Sequence, residues 1–124
     1  MLSMSGRVGR GKGEGWIQLL VFRVLYETPL HGYALIEELN KLLAGRRPIK
    51  PGSLYTMLRR LEKENLLTSK WHKNPPRLNR RVYSLTEAGI EKLKEGRLRV
   101  KEQKRMLDEM TKFYEHNFTE SEKI

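Results

Sequence analysis

Apolar residues recur at helical spacing in four stretches of the chain and at alternate positions in a fifth. From Trp16, Ile17, Leu20, Val21, Val24 and Leu25 make one stripe. It stops at Thr28-Pro29, because a proline disfavours helix in the residue before it. A second helix is expected over about 32–43, with Leu35, Ile36, Leu39, Leu42 and Leu43 facing inward. Pro48 and Pro51 bracket a short loop, and Pro51 suits the first turn of a third helix, 51–64, where no backbone donor is needed. In that helix Leu54, Leu58 and Leu61 fall at i, i+4 and i+7, and Asn65, which tolerates a left-handed backbone, is expected to end it.

The period then changes. Leu67, Ser69 and Trp71 alternate with Thr68, Lys70 and His72, and after the turn residues Asn74-Pro75-Pro76 a partner strand runs from Arg81 to Leu85. Thr86 is expected to cap a long final helix, with Glu87 in its first turn where the helix dipole favours negative charge. Leu93, Val100, Leu107 and Tyr114 recur every seven residues and Met110 fills an intermediate position, a narrow seam suited to a second helix.

Three helices, a hairpin and a long helix in this order spell a mainly α (α+β) fold: a winged helix-turn-helix with a two-stranded wing over 66–85 and a C-terminal dimerisation helix. The expected organisation is a glycine-rich basic arm without fixed structure (1–15), a winged domain (16–85), the dimerisation helix (86–118) and a tail (119–124).

Charge sharpens this picture. The net charge is +10, yet residues 1–45 carry only +1 and residues 82–124 are neutral. Residues 46–81 hold eleven Lys and Arg against Glu62 and Glu64, a net of +9. Cations concentrated in this way suit a polyanion, since clustered positive charge releases counterions from a phosphate backbone. On the third helix, Ser53, Tyr55 and Thr56 can reach phosphates or base edges, Arg59 suits bidentate reading of a guanine, and Arg60 and Lys63 suit phosphates. In the hairpin, Arg77, Arg80 and Arg81 lie at or just after the turn, and Lys70 and Lys73 add charge along it.

Other chemistries find little support. The chain has no cysteine, so disulfides and thiolate metal sites are excluded. His31, His72 and His116 have no ligand spacing, and the single aspartate, Asp108, gives no pair of the kind metal nucleases use. The N-terminal glycines follow no strand, which argues against a phosphate-cradling nucleotide loop. No enzyme activity, metal or cofactor is expected. No apolar run approaches the roughly 18 residues of a membrane span, and the expected location is the cytoplasm of a prokaryote, on the nucleoid.

Three blocks, "PLHGYALIEEL" (29–39), "PGSLYTMLRRLEKENLL" (51–67) and "RRVYSLTEAG" (80–89), resemble in order and spacing the PadR family of transcriptional regulators. The resemblance spans roughly residues 17–115 and implies a homodimeric winged-helix repressor on inverted-repeat operators. It implies that Ser53, Tyr55 and Arg59 belong to the DNA-binding element, that Arg77, Arg80 and Arg81 form the wing, and that the long C-terminal helix (Leu93, Val100, Leu107, Met110, Tyr114) makes the dimer. Thr56 stands where the family often has proline, and "NPPRLN" replaces the usual glycine-rich wing tip. The C-terminal helix lacks the tryptophans with which some relatives hold flat aromatic drugs, so no effector is named. With one C-terminal helix the chain looks like the short form. Two other classes remain open at this level: an architectural protein binding duplex DNA with little sequence preference, and a protein-interaction module built on the C-terminal helix. The second leaves the +9 segment idle.

Overall fold

The chain runs α1 (Glu14–Glu27), β1 (Leu30–His31), α2 (Gly32–Leu43), α3 (Pro51–Lys63), β2 (Leu67–Asn74), β3 (Arg77–Leu85) and α4 (Glu87–Asn117). This computed structural model describes residues 14–44, 47–74 and 77–118, including all side chains except those of Glu14 and residues 73–79. Residues 1–13 of the expected basic arm and 119–124 of the tail lie outside the described residues. Two compact units are present, Met1–Leu93 and Lys94–Ile124. The element order matches the winged helix-turn-helix expected from the periodicities.

The core of the first unit is built by the leucines of α3 against α1 and α2. Leu54, Leu58 and Leu61 are all but fully buried, together with Val21 and Phe22 of α1 and Leu35 and Leu39 of α2. Each such leucine withdrawn from water contributes about 1.5–3 kcal/mol. Two details differ from the sequence pattern. Phe22 lies off the α1 stripe yet is fully buried, because α1 is covered on more than one side. Leu42, expected inward, is 41% exposed at the C-terminal end of α2.

Helix α3 ends by a bonding pattern that the sequence already hints at. Asn65 has φ of 65°, its N–H donates to Glu62 O (3.0 Å), and the Leu66 N–H donates to Leu61 O (2.9 Å). The side chains of Leu61 and Leu66 are both buried, which completes a Schellman termination. The same corner anchors α4. Thr86 Oγ1 accepts from the Gly89 N–H (3.0 Å) as its N-cap, and the Thr86 N–H donates to Leu66 O (3.2 Å). A Cβ at Gly89 would run into Leu66 O and come within 2.8 Å of Leu85 Cδ1, so only glycine lets α4 start this close to the α3–β2 turn.

The sheet has three strands rather than two, in the order β1-β3-β2, all antiparallel. β1 is a two-residue bridge pairing Leu30 with Tyr83 and His31 with Val82, too short to show an alternation in the sequence. β3 also begins at Arg77, four residues earlier than the pattern indicated, and an irregularity between His72 and Asn74 interrupts its ladder with β2.

The second unit begins at Lys94 and holds most of α4. Val100, Leu107, Met110 and Tyr114 of the seven-residue repeat are 43–55% exposed, and so are Met106 and Phe113 beside them. The apolar strip is therefore broader than the narrow seam read from the repeat. Phe113, Tyr114 and Phe118 form an aromatic cluster with ring centroids 5.5–6.3 Å apart. Leu93, at the start of the repeat, packs against the core of the first unit.

Candidate nucleic-acid interface

Successive residues of a helix turn by about 100°, which divides α3 into three strips outside its buried leucines. Thr56, Arg59 and Lys63 run along the outer ridge and are all exposed. Ser53, exposed, and Arg60 share one flank, while Tyr55 and Glu62, both half-buried, share the flank beside the sheet.

On its flank, Arg60 is engaged with its own protein. Its Nη2 donates to Gln18 Oε1 of α1 (3.2 Å) and its Nη1 donates to the Glu64 carboxylate (3.4 Å). On the other flank, Glu62 accepts from Ser69 Oγ of β2 (2.7 Å) and from Arg81 Nη2 of β3 (3.3 Å). Arg81 Nε closes the triangle by donating to Ser69 Oγ (2.9 Å). The same guanidinium lies over Trp71 at 5.5 Å and Tyr83 at 5.8 Å from the ring centroids. Burial pushes the Tyr83 phenol above its ordinary value of 10.0, against the smaller opposing pull of the Arg81 cation.

These pairings decide where the free charge lies. Both carboxylates near α3, Glu62 and Glu64, are taken by Arg81 and Arg60. Arg59 and Lys63 on the ridge have no carboxylate within ion-pair distance among the described residues. The ridge is therefore the uncompensated part of a basic helix.

A cleft of about 430 Å³ opens between α3, the start of α2 and the sheet, and it gathers Tyr55, Arg59, Arg80 and Arg81. It also brings in three residues not among the expected DNA contacts: His31, Tyr33 and Trp71. Tyr33 is 69% and Trp71 55% exposed, unusual for aromatic side chains with packing available nearby. For His31 and Tyr33 the signal is the "LHGY" segment itself, where a glycine between two ring-bearing residues marks a close approach; for Trp71 the sequence offered only its place in the β2 alternation. The approach is to Tyr55, whose ring lies on Gly32.

Lys70 is placed elsewhere. With His72 and Val82 it lines a second cleft of about 390 Å³, whereas Trp71 and Arg81 line the first, as strand alternation requires. The side chains of Lys73 and Arg77 lie outside the described residues. Among the described residues, no His, Asp or Glu cluster is arranged to hold a metal ion. Among them, too, no helix is long and apolar enough to cross a membrane.

Solved structures share this fold. The conserved protein TM0937, described as a potential transcriptional factor, is 25% identical with a TM-score of 0.75, over 90% of this chain and 98% of that one. A PadR-like transcriptional regulator from Bacillus cereus (BC4206) is 23% identical with a TM-score of 0.69, over 80% of this chain and 94% of that one. The Bacillus subtilis PadR structure, in complex with operator DNA, is 22% identical with a TM-score of 0.57, over 63% of this chain and 44% of that one. Comparison with curated proteins finds no match. The family model for the transcriptional regulator PadR-like family matches residues 21–95, most of the first unit including all of α2, α3 and the sheet. The chain belongs to the PadR-like family of transcriptional regulators.

Proposed function

We propose that this protein is a homodimeric repressor that binds an inverted-repeat operator, with α3 in the major groove and the β2–β3 wing on the adjoining groove. The observation that carries the reading is the ridge of Thr56, Arg59 and Lys63, exposed and without carboxylate partners among the described residues, on a helix whose two acids are neutralised on its flanks. The likeness in fold to a PadR bound to operator DNA supports it.

Within this reading the residues divide by task. Arg59, at the centre of the ridge and the edge of the cleft, reads a base edge, with Thr56 and Tyr55 beside it. Lys63 and Ser53 meet phosphates, as do Arg80 and the more distal wing residues Lys73 and Arg77. Lys70 meets the backbone from the opposite wing face. Arg60 and Arg81 act chiefly by fixing α3 against α1 and against the wing, and contribute long-range field to the DNA. The dimer forms through α4 along Val100, Leu107, Met110 and Tyr114, whose exposure leaves a strip that a second copy can cover. The protein works in the cytoplasm on the bacterial or archaeal nucleoid.

Selection of bound duplexes from a random pool at roughly physiological salt tests the reading. Enrichment of an inverted repeat is expected. Tight binding without enrichment would replace it with the architectural role. With the operator in hand, Arg59→Ala is expected to cost about 1–3 kcal/mol on operator and much less on random duplex. Equal losses on both would remove Arg59 from base reading.

A further inference from the structure

His31 is placed between two hydrogen-bond donors and can serve only one of them. It ends β1 and is the N-cap of α2, with φ of −82° and ψ of 161°, and its Nδ1 accepts from the Ala34 N–H at 3.3 Å. Its Nε2 lies 3.1 Å from Nη1 of Arg80. A neutral imidazole has one bare nitrogen, and a guanidinium has donors only. The Ala34 N–H is fixed in direction by the first turn of α2, where no carbonyl of the helix can reach it. Arg80 is exposed, so its guanidinium can find other acceptors, whereas the Ala34 N–H cannot. Nδ1 therefore keeps the lone pair and Nε2 carries the hydrogen. The result is two N–H donors, one neutral and one cationic, converging on the same space with no acceptor between them.

The surroundings define what fits there. Arg59 and Arg81 lie on the α3 side with Tyr33 and Tyr55, and Lys70 and His72 lie across the sheet. Among the described residues, no Asp or Glu lines either of the two clefts that meet at His31. An anionic oxygen with several lone pairs satisfies both donors at once. We infer that His31 and Arg80 form a two-donor site for one backbone phosphate of duplex DNA, with His31 donating as a neutral ring through Nε2. The inference rests on the DNA-binding reading above and specifies where the start of α2 and the wing clamp the same phosphate.

The two donors differ in charge, which gives them different signatures. A neutral donor displaces no counterion, whereas each lost cationic phosphate contact lowers the salt slope by about 1. His31→Asn keeps an N-cap acceptor for Ala34 but removes the ring Nε2–H. It is expected to weaken operator binding by about tenfold with the salt slope unchanged. Arg80→Ala is expected to weaken it comparably and to lower the slope by about 1 per protomer. Because both donors share one oxygen, the double variant should lose less than the product of the single losses. A methylphosphonate walked along the operator backbone should identify one position at which wild type and His31→Asn bind equally.

Long-range proton–nitrogen spectra of the full-length protein should show His31 protonated at Nε2 and bare at Nδ1, with the Nε2 signal moving when operator duplex is added. The opposite tautomer, or an H31N variant that melts like wild type and binds DNA equally well, would overturn the site while leaving the DNA-binding reading intact. A slope change in H31N as large as in R80A would overturn the neutral-donor role. A shift of the His31 signal by inorganic phosphate, with no methylphosphonate position that equalises the two proteins, would assign the pair to free anion instead. Failure of wild type to bind any duplex would overturn both readings together.

Discussion

The ring of Tyr55 lies directly against the backbone of Gly32. A Cβ at residue 32 would meet Tyr55 Cε1 at 2.5 Å, its hydroxyl oxygen at 2.6 Å and Cζ at 2.8 Å. The absent side chain of α2 thus creates the seat in which an aromatic of α3 rests, and among the described residues Tyr55 is held facing the cleft by contact rather than by a hydrogen bond.

Gly32→Ala should therefore displace the Tyr55 ring before it disturbs the buried leucines behind it. We expect a stability loss of about 1–3 kcal/mol, as for overpacking elsewhere, with a weakening of DNA binding that exceeds it. Tyr55→Phe keeps the ring in its seat and should preserve stability, so any loss of affinity in that variant belongs to the hydroxyl. Denaturant unfolding and operator titration on both variants separate the two effects; a G32A protein with wild-type affinity would show that the ring position is irrelevant to DNA.

Glu62 is an acid in the most basic region of the chain, and its two partners explain it. Glu62→Gln should loosen the wing by weakening the Arg81 and Ser69 bonds, costing about 1 kcal/mol given that both charged side chains remain partly in solvent. It also frees the Arg81 cation. The expected signature is lower protection of β2–β3 amides in hydrogen exchange together with a steeper salt dependence of DNA binding. A wing as protected as in wild type would show that the triangle contributes nothing to its rigidity.

Leu107→Glu places a charge in the middle of the exposed apolar strip of α4. In the proposed dimer it should abolish association, because an unpaired carboxylate facing a second helix costs several kcal/mol. Sedimentation equilibrium at micromolar concentration reads this directly, and a dimer that persists would place the interface elsewhere on the chain.

Tyr83 links alkaline pH to stability. Its phenol is held above the ordinary value by burial, so the folded state keeps a proton that the unfolded state releases. Its contribution is complete below the unfolded value of about 10 and is lost as pH rises through the higher folded value. Tyr83→Phe, which keeps the buried ring, should flatten the fall in unfolding free energy as pH rises above about 10. Urea melts across that range would refute this if both proteins lost stability in parallel.

Local signals in the chain settle the elements and the electrostatic region. Helical period, strand alternation, Pro51 at a helix start, Asn65 at a helix end and Thr86 at a cap are each expressed over a few residues of backbone, and each stands where its chemistry placed it. The concentration of charge in residues 46–81 is likewise a property of the chain alone. Packing settles which of those charges are free. Arg60 meets Gln18 across 42 positions and Arg81 meets Glu62 across 19, so their engagement follows from the fold and not from spacing. The same holds for β1, a strand only because β3 passes beside it, and for Leu42 and Phe22, whose burial depends on what covers a helix rather than on its own stripe. It holds most plainly for His31. Nothing in "LHGY" reveals that one ring nitrogen caps a helix while the other faces an arginine 49 positions away, because two distant segments meet only once the chain has folded them together.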